Sequence, residues 1–432
     1  MAQLSGMTRR RAILGAAMAA PVFTALVAGF AAAGSAAASV VAGAGAKVGT
    51  GGGPTKGAAA TPSATPTPVH YPPASVNLVP ADGAANVDPS IPVTVTAANG
   101  TVTSVQLSGG SAGDETSGTM AAANTTWTSN GTLDIDTSYQ LQVQVLGKDG
   151  KTVTATSSFS TLKPSSSLGV DSMWPDDGST VGVGQPIRIR FNNSVSPEYR
   201  AGVEKACVVT TTPAVAGAWY WADDDMMDWR PNDFWAVNTK VSVALNLEGV
   251  RSGSSRFGVK NHSLAFTVRD TDLRLVVDAK AFRATCYADG SDIRSWPIDT
   301  GKPGETFVTW QGTFSVLGKG NPVEMKGNYG PGDTYDDEVA WATQITYSGT
   351  YVHAAPWDGG IGHANDDSHG CIHCRTGDAE WFYDQAHVGD VVQVTGTNKT
   401  VAVTNGLCDW TLPWAQWLAG SAYGATMNGT PV

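Results

Sequence analysis

The chain has little charge. Only 15% of its 432 residues are Asp, Glu, Lys or Arg, and 27 basic side chains face 38 acidic ones, for a formal charge of −11. No basic stripe offsets that balance, which argues against a nucleic-acid partner; a solvated acidic surface is the simpler reading. Cysteine is scarce as well. There are five, and none precedes Cys207, which excludes a lipid-modified cysteine at a processed N-terminus. Long amphipathic helical stretches are few. Past the first forty residues no apolar run approaches the ~20 residues that a membrane-spanning helix needs.

What is present in quantity is Gly, Ala, Ser and Thr, together with many alternating V-x-V-x-V stretches. Alternation with period two and frequent turn residues predict a mainly β protein, and the length predicts two to four domains. Residues 1–39 read as an export signal. Arg9, Arg10 and Arg11 precede the apolar run Ala12 to Ala33, and small residues follow with cleavage options near Ala36 and Ala38. Thr8-Arg9-Arg10-Arg11-Ala12-Ile13-Leu14 is similar to a twin-arginine signal, with an ordinary secretory signal as the alternative. Either places the protein in the cell envelope; membrane contact follows only if the signal stays uncleaved. Residues 40–75 read as a disordered linker rich in Gly, Pro, Ala and Thr.

Two related modules follow, at 76–164 and 165–269. Val79-Pro80-Ala81-Asp82-Gly83 opens one and Trp174-Pro175-Asp176-Asp177-Gly178 the other. Each continues into an alternating strand, then a tryptophan (Trp127 or Trp229), then a threonine ten residues on (Thr137 or Thr239) that introduces another strand. That repeat predicts two immunoglobulin-like sandwiches with the tryptophans in their cores. Asp223-Asp224-Asp225 reads as a solvated turn, since no EF-hand spacing supports calcium. From Asp270 the pattern changes, and 270–396 reads as a catalytic module with one helix near Asp378 to Gln385. Residues 397–432 carry Trp410, Trp414 and Trp417, too many to leave in water, and should pack back on the body.

The chemistry concentrates in two strings, Tyr351-Val352-His353-Ala354-Ala355-Pro356-Trp357 and Ser368-His369-Gly370-Cys371. A thiolate is a strong nucleophile and an imidazole can take its proton. Gly370 permits a backbone conformation that other residues resist. This is the outline of a thiol acyl-transfer site, provided the fold brings His353 to Cys371. The odd cysteine count leaves one thiol unpaired in a monomer; Cys371 is the candidate, and Cys207, Cys286, Cys374 and Cys408 leave two, one or no disulfides open.

These strings resemble the motifs of the L,D-transpeptidases, cysteine enzymes that cross-link peptidoglycan. Asp299-Thr300-Gly301-Lys302, Thr309-Trp310-Gln311-Gly312-Thr313-Phe314, Trp341-Ala342-Thr343-Gln344 and Ala379-Glu380-Trp381-Phe382-Tyr383-Asp384 add to the likeness. So does the arrangement of two sandwiches, catalytic β-sandwich domain and Trp-rich extension. The resemblance implies Cys371 as nucleophile, His353 as base, the Ala354 carbonyl as the group orienting it, and His369 beside the nucleophile. It implies oxyanion donors at the Gly370 and Cys371 amides, and substrate contacts from Tyr335, Met325, Tyr329, Trp357, Ser368 and His373. It further implies peptidoglycan stem peptides as substrates, 3→3 cross-links as products, carbapenem-type β-lactams as covalent inhibitors, and no cofactor. His373 departs from the family pattern, where Arg or Asn is general. An imidazole there changes charge near its unperturbed pKa of about 6.5.

Two rival readings stand beside this one. His363, His369, Cys371, His373 and Cys374 form a dense cluster whose donors suit zinc or copper. Alternatively the sandwiches are adhesive and the protein a non-catalytic wall binder. His363 and His387 read as surface histidines, Trp381 and Tyr383 as core.

Overall fold

The computed structural model describes residues 70–432, apart from 111–116, 305, 331, 364, 365 and 367. The expected export signal and most of the expected linker lie outside the described residues. Strand accounts for 47% of the described residues and helix for 8%, so the protein is mainly β. Among the described residues no helix is long and apolar enough to cross a membrane.

The first sandwich pairs Ser75–Val79, Thr94–Ala98, Thr126–Ser129 and Gly118–Met120 in one sheet, and Gly100–Gly109, Ser138–Gly147 and Thr152–Ser160 in the other. Strand Ser138–Gly147 alternates strictly between exposed and buried residues. Its inward side chains, Tyr139, Leu141, Val143 and Val145, meet Val95, Leu107 and Trp127 in a single core. Successive side chains of a strand point to opposite faces, so a period-two sequence needs only a second sheet to become a core.

The second sandwich has its own core, built on Ile187, Ile189, Phe191, Trp219, Met227, Trp229 and Val243. Trp229 is stacked on Trp235 at 5.4 Å, so Trp127 and Trp229 both serve packing. One of its sheets contains a finding the sequence does not announce: the strand Thr426–Met427 pairs with Ala216 and Gly217. The C-terminal extension therefore completes a sheet of the second sandwich. Trp417 is fully buried and donates its indole hydrogen to the Ala218 carbonyl at 2.9 Å. The Arg230 guanidinium lies against the rings of Trp410, Trp414 and Trp417. The buried Glu204 carboxylate receives Trp221 Nε1, Ser421 Oγ and the amides of Ala422 and Tyr423. At the acidic run, Asp224 and Asp225 pair with Arg200 and Arg190 on the surface.

The remaining region is organised by a nine-stranded sheet. Its middle runs from Leu273–Asp278 through Arg283–Ala288 and Ser291–Asp299 to Ile372–Cys374, Tyr351–Ala354 and Ala342–Gln344. Leu275, Cys286, Trp296, Ile298, Phe314, Val352, Ile372, Phe382 and Val392 form its core. A separate hairpin, Val323–Asn328 with Thr334–Val339, stands over one end. The helix covers Thr376–Gln385. Asp378 lies in its first turn, but its carboxylate pairs with Arg294 at 2.6 Å instead of capping an amide. All five cysteines are free thiols; four are buried and Cys371 is partly so.

Candidate active site

Strands Tyr351–Ala354 and Ile372–Cys374 run parallel and in register, with His353 opposite His373. Directly paired residues of adjacent strands face the same way, so both imidazoles enter one space while Val352, Ile372 and Cys374 enter the core. That space is a cavity of about 670 Å³. Met325, Tyr335, His353, Trp357, Ser368, His369, Cys371 and His373 line it, and so do Lys302, Asp337 and Asp358.

The turn bearing Cys371 is built from below. Gly370 has φ +119°, a conformation that favours glycine. Ser368 Oγ donates to the Cys371 carbonyl at 2.6 Å and accepts from the Gly370 amide at 3.1 Å. Thr309 Oγ1 donates to the Gly370 carbonyl and accepts the Gly301 amide. A Cβ on Gly301 would fall 2.9 Å from the Gly370 Cα, so the backbones touch. The strings around Thr300-Gly301 and Thr309 thus form a cradle under the cysteine.

This geometry revises two expectations. The Gly370 amide is committed to Ser368 Oγ, so it serves an oxyanion only by leaving that bond. Ser368 lines the cavity but is 1% exposed with its hydroxyl committed to the turn, so that hydroxyl shapes the nucleophile's backbone.

His353 is buried, and its Nδ1 lies 2.9 Å from the Ala354 carbonyl oxygen. A carbonyl only accepts, so Nδ1 carries the hydrogen and Nε2 presents its lone pair. Burial, and secondarily the His373 imidazole, push its pKa down to about 3, against the opposing effect of the Ala354 carbonyl. Burial pushes the Cys371 thiol up to about 11, opposed by the Tyr351 amide, which donates to Sγ at 3.4 Å. The thiol itself donates to the Gly349 carbonyl at 3.5 Å. No hydrogen bond joins it to His353, and burial disfavours charge on both the thiol and the imidazole that share the cavity. Burial, then Tyr329 and Cys371, push the Tyr335 phenol up to about 12, leaving it a hydroxyl donor.

His369, expected beside the nucleophile, is turned to the hairpin. Its Nε2 meets Asp333 at 2.7 Å, and its ring packs on Phe307, Tyr329 and Tyr335. Tyr329 does not itself line the cavity; it touches two residues that do, His369 through its ring and Tyr335 through its hydroxyl. His373 Nδ1 is 2.7 Å from the nearly buried Asp358 carboxylate, and its ring is 4.9 Å from that of His353. Asp358, Asp333 and Phe307 were not singled out from sequence. Asp337 carried a signal: residues 335, 337 and 339 alternate on one face of a strand.

The fold splits the His/Cys cluster: His369, Cys371 and His373 line the cavity, while Cys374 and His363 leave it. Cys374 faces the core against the Trp296 indole, His363 is exposed, and His369 is held by the hairpin. Among the described residues no group of three or more His, Cys, Asp or Glu side chains could hold a metal ion.

Comparison with known proteins agrees with this architecture. The L,D-transpeptidase catalytic domain family matches residues 272–394, and the bacterial Ig domain family matches 84–251. L,D-transpeptidase 2 of Mycobacterium tuberculosis (strain CDC 1551 / Oshkosh) is 36% identical over 348 residues, 79% of this chain and 83% of that protein. L,D-transpeptidase 5 of Mycobacterium tuberculosis (strain ATCC 25618 / H37Rv) is 32% identical over 361 residues, 81% of this chain and 78% of that protein. A solved LD transpeptidase, LdtMt1 in complex with imipenem, is 30% identical, covering 54% of this chain and 100% of its own at a TM-score of 0.45. The fold and the family matches define an acyltransferase with immunoglobulin-like modules ahead of its catalytic domain. The chain belongs to the L,D-transpeptidase family.

Proposed function

We propose that Cys371 attacks the carbonyl of the third residue, a diamino acid, in a peptidoglycan tetrapeptide stem. One observation carries the reading: the cysteine turn and the oriented His353 imidazole open into the same cavity from neighbouring parallel strands. Because the thiol is raised and the imidazole lowered, no ion pair is stored at rest. The proton moves from sulfur to His353 Nε2 as the carbon–sulfur bond forms. The Cys371 amide and the Tyr335 hydroxyl are the donors we assign to the oxyanion. Collapse breaks the peptide bond, His353 returns the proton to the departing D-alanine amine, and a thioester remains. The side-chain amine of a second stem attacks it, His353 takes that amine's proton, and the thiol is restored with a 3→3 link formed.

Met325, Tyr335, Trp357 and His373 are the walls we assign to the stem, with Tyr329 supporting them through His369. The reaction belongs in the cell envelope, where the polymer lies, so the segment before residue 40 acts as an export signal in this reading. Carbapenems enter as stem mimics that acylate the same sulfur. Intact mass after carbapenem exposure, followed by peptide mapping, should place a single adduct on Cys371. An adduct on Cys374, or cross-linking activity in Cys371→Ala, would overturn the assignment. Dimers made from tetrapeptide stems should carry the 3→3 link by mass spectrometry; its absence would remove the proposed reaction.

A further inference from the structure

We infer that Asn405, in the C-terminal extension, is a positioning residue that holds the Cys371 thiol in place through the turn at 346–350. The inference rests on Cys371 being the nucleophile. It begins with what touches the sulfur. Both hydrogen bonds of the thiol go to one stretch of backbone: Sγ donates to the Gly349 carbonyl and accepts from the Tyr351 amide. The placement of the sulfur is therefore the placement of that turn.

The turn has an exposed tip, Tyr347, Ser348 and Gly349, and Gly349 sits at φ +93°. Internally it is closed by Thr350 N to Thr346 Oγ1 at 2.8 Å and by Ile345 N to the Thr350 carbonyl at 3.0 Å. From outside, its tip is gripped by one residue three ways. The Ser348 amide donates to Asn405 Oδ1 at 2.9 Å, Asn405 Nδ2 donates to Ser348 Oγ at 2.9 Å, and the Tyr347 amide donates to the Asn405 carbonyl at 3.3 Å. A side-chain amide is suited to this because it accepts and donates at once.

Asn405 is itself anchored at a junction of three parts of the molecule. The next carbonyl, Gly406 O, accepts Arg188 Nη1 of the second sandwich at 2.9 Å, and Leu407 O accepts the Ser315 amide of the catalytic sheet at 2.9 Å. Arg188 Nη1 also reaches the Tyr347 hydroxyl at 3.3 Å. The sandwich thus fixes the extension, the extension fixes the turn, and the turn presents an amide to the sulfur.

That amide has a chemical consequence. An N–H donated to sulfur favours the thiolate over the thiol. As the thiol hydrogen leaves Gly349 O for His353, the Tyr351 amide remains to stabilise the charge that develops. If the turn drifts, the donor is lost and the thiolate becomes harder to form.

The full chain carrying Asn405→Ala or Asn405→Asp tests this. Two readouts are needed: the pH dependence of Cys371 alkylation by iodoacetamide, located by peptide mapping, and the acylation rate with a carbapenem. Asn405→Ala should move the alkylation profile to higher pH and slow acylation about tenfold. Asn405→Asp keeps the acceptor for the Ser348 amide and should restore most of both. Ser348→Ala, which removes one contact from the turn's side, should give a smaller shift in the same direction and stands in if Asn405→Ala folds poorly. An unchanged alkylation profile in folded Asn405→Ala, or an aspartate no better than alanine, would overturn the inference. If the wild type forms no carbapenem adduct on Cys371, the proposed function fails instead, while the alkylation profiles still report on thiol placement.

Discussion

The two sandwiches share a fold, yet they are attached in opposite ways. Among the described residues, two hydrogen bonds cross from the first sandwich to the second: Arg251 Nη1 to Asp88 Oδ2 and Thr132 Oγ1 to the Glu248 carbonyl, each 2.8 Å. Both lie at or near the surface. The seam between the second sandwich and the catalytic region is of another kind. Gly182 and Gly184 donate their amides to the Val388 and Gly389 carbonyls, and a Cβ on Gly182 would fall 2.2 Å from the Asp390 nitrogen. Arg188, Asp228, Asp390 and Asp409 are charged or acidic side chains buried within or beside it, and the partly buried Arg269 pairs with Asp390. A sandwich can therefore be a spacer or a structural part of an enzyme, and the seam decides which.

The largest effect should come from breaking the buried ion pair of that seam. Arg188 grips Asp228 with two bonds, at 2.8 and 2.6 Å, and both are buried. Burial opposes the guanidinium's charge, but Asp228 more than compensates and its pKa lies above the ordinary value. Burial, joined by Asp228, pushes the Asp409 carboxyl well above the carboxylate range. Asp228→Ala leaves a buried cation, and chemical denaturation should show a loss of about 3–5 kcal/mol. A loss below about 1 kcal/mol would mean that the seam is no tighter than the first junction.

A second test sharpens the comparison through pH. Burial pushes Asp390 up to about 7, against the opposing effects of the His387 amide and Arg269. The unfolded carboxyl titrates near about 4. Between those values the folded chain keeps a proton that the unfolded chain has lost. Its stabilising contribution is thus complete below about pH 4, declines as pH rises, and is gone above about 7. Urea midpoints should contain this decline, and Asp390→Asn should flatten it. An identical slope in the variant would remove Asp390 as its source.

How much of this was legible beforehand follows from the distance over which each contact is made. Strands such as Ser138–Gly147 were readable because alternation is local. Cys371 and His353 stood out because few residue types perform acyl transfer, and their short strings carry the glycine and carbonyl neighbours with them. The His369–Asp333 and His373–Asp358 pairs join residues whose partner is set by tertiary packing, so neither aspartate carried a signal. The extension's entry into a sandwich sheet was hidden for the same reason: Thr426–Met427 is too short to show a period. Its tryptophans announced burial and left the partner open.

Removing the first sandwich, residues 76–164, tests its role as a spacer. No side chain of it lines the cavity, and the three-part junction that holds the thiol's turn involves only residues beyond it. Turnover of a soluble stem peptide should stay within about twofold of the full chain, since groups that do not touch the reacting atoms or their supports leave transition-state binding unchanged. A collapse of turnover in folded, truncated protein would give the first sandwich a part in shaping the site.

The smallest effect should come from the first junction itself. Arg251 and Asp88 are about a third and a sixth exposed as side chains, so solvent screens their attraction. Arg251 also keeps partners within the second sandwich, against the rings of Tyr199 and Phe257 and on the Gly253 and Ser254 carbonyls. Asp88→Ala therefore leaves no buried cation behind, in contrast to Asp228→Ala. Its cost in denaturant unfolding should be under about 1 kcal/mol, diminishing further in high salt. A loss of several kcal/mol, insensitive to salt, would show that this partly exposed pair is as tightly bound as the buried one and would erase the distinction between the two sandwiches.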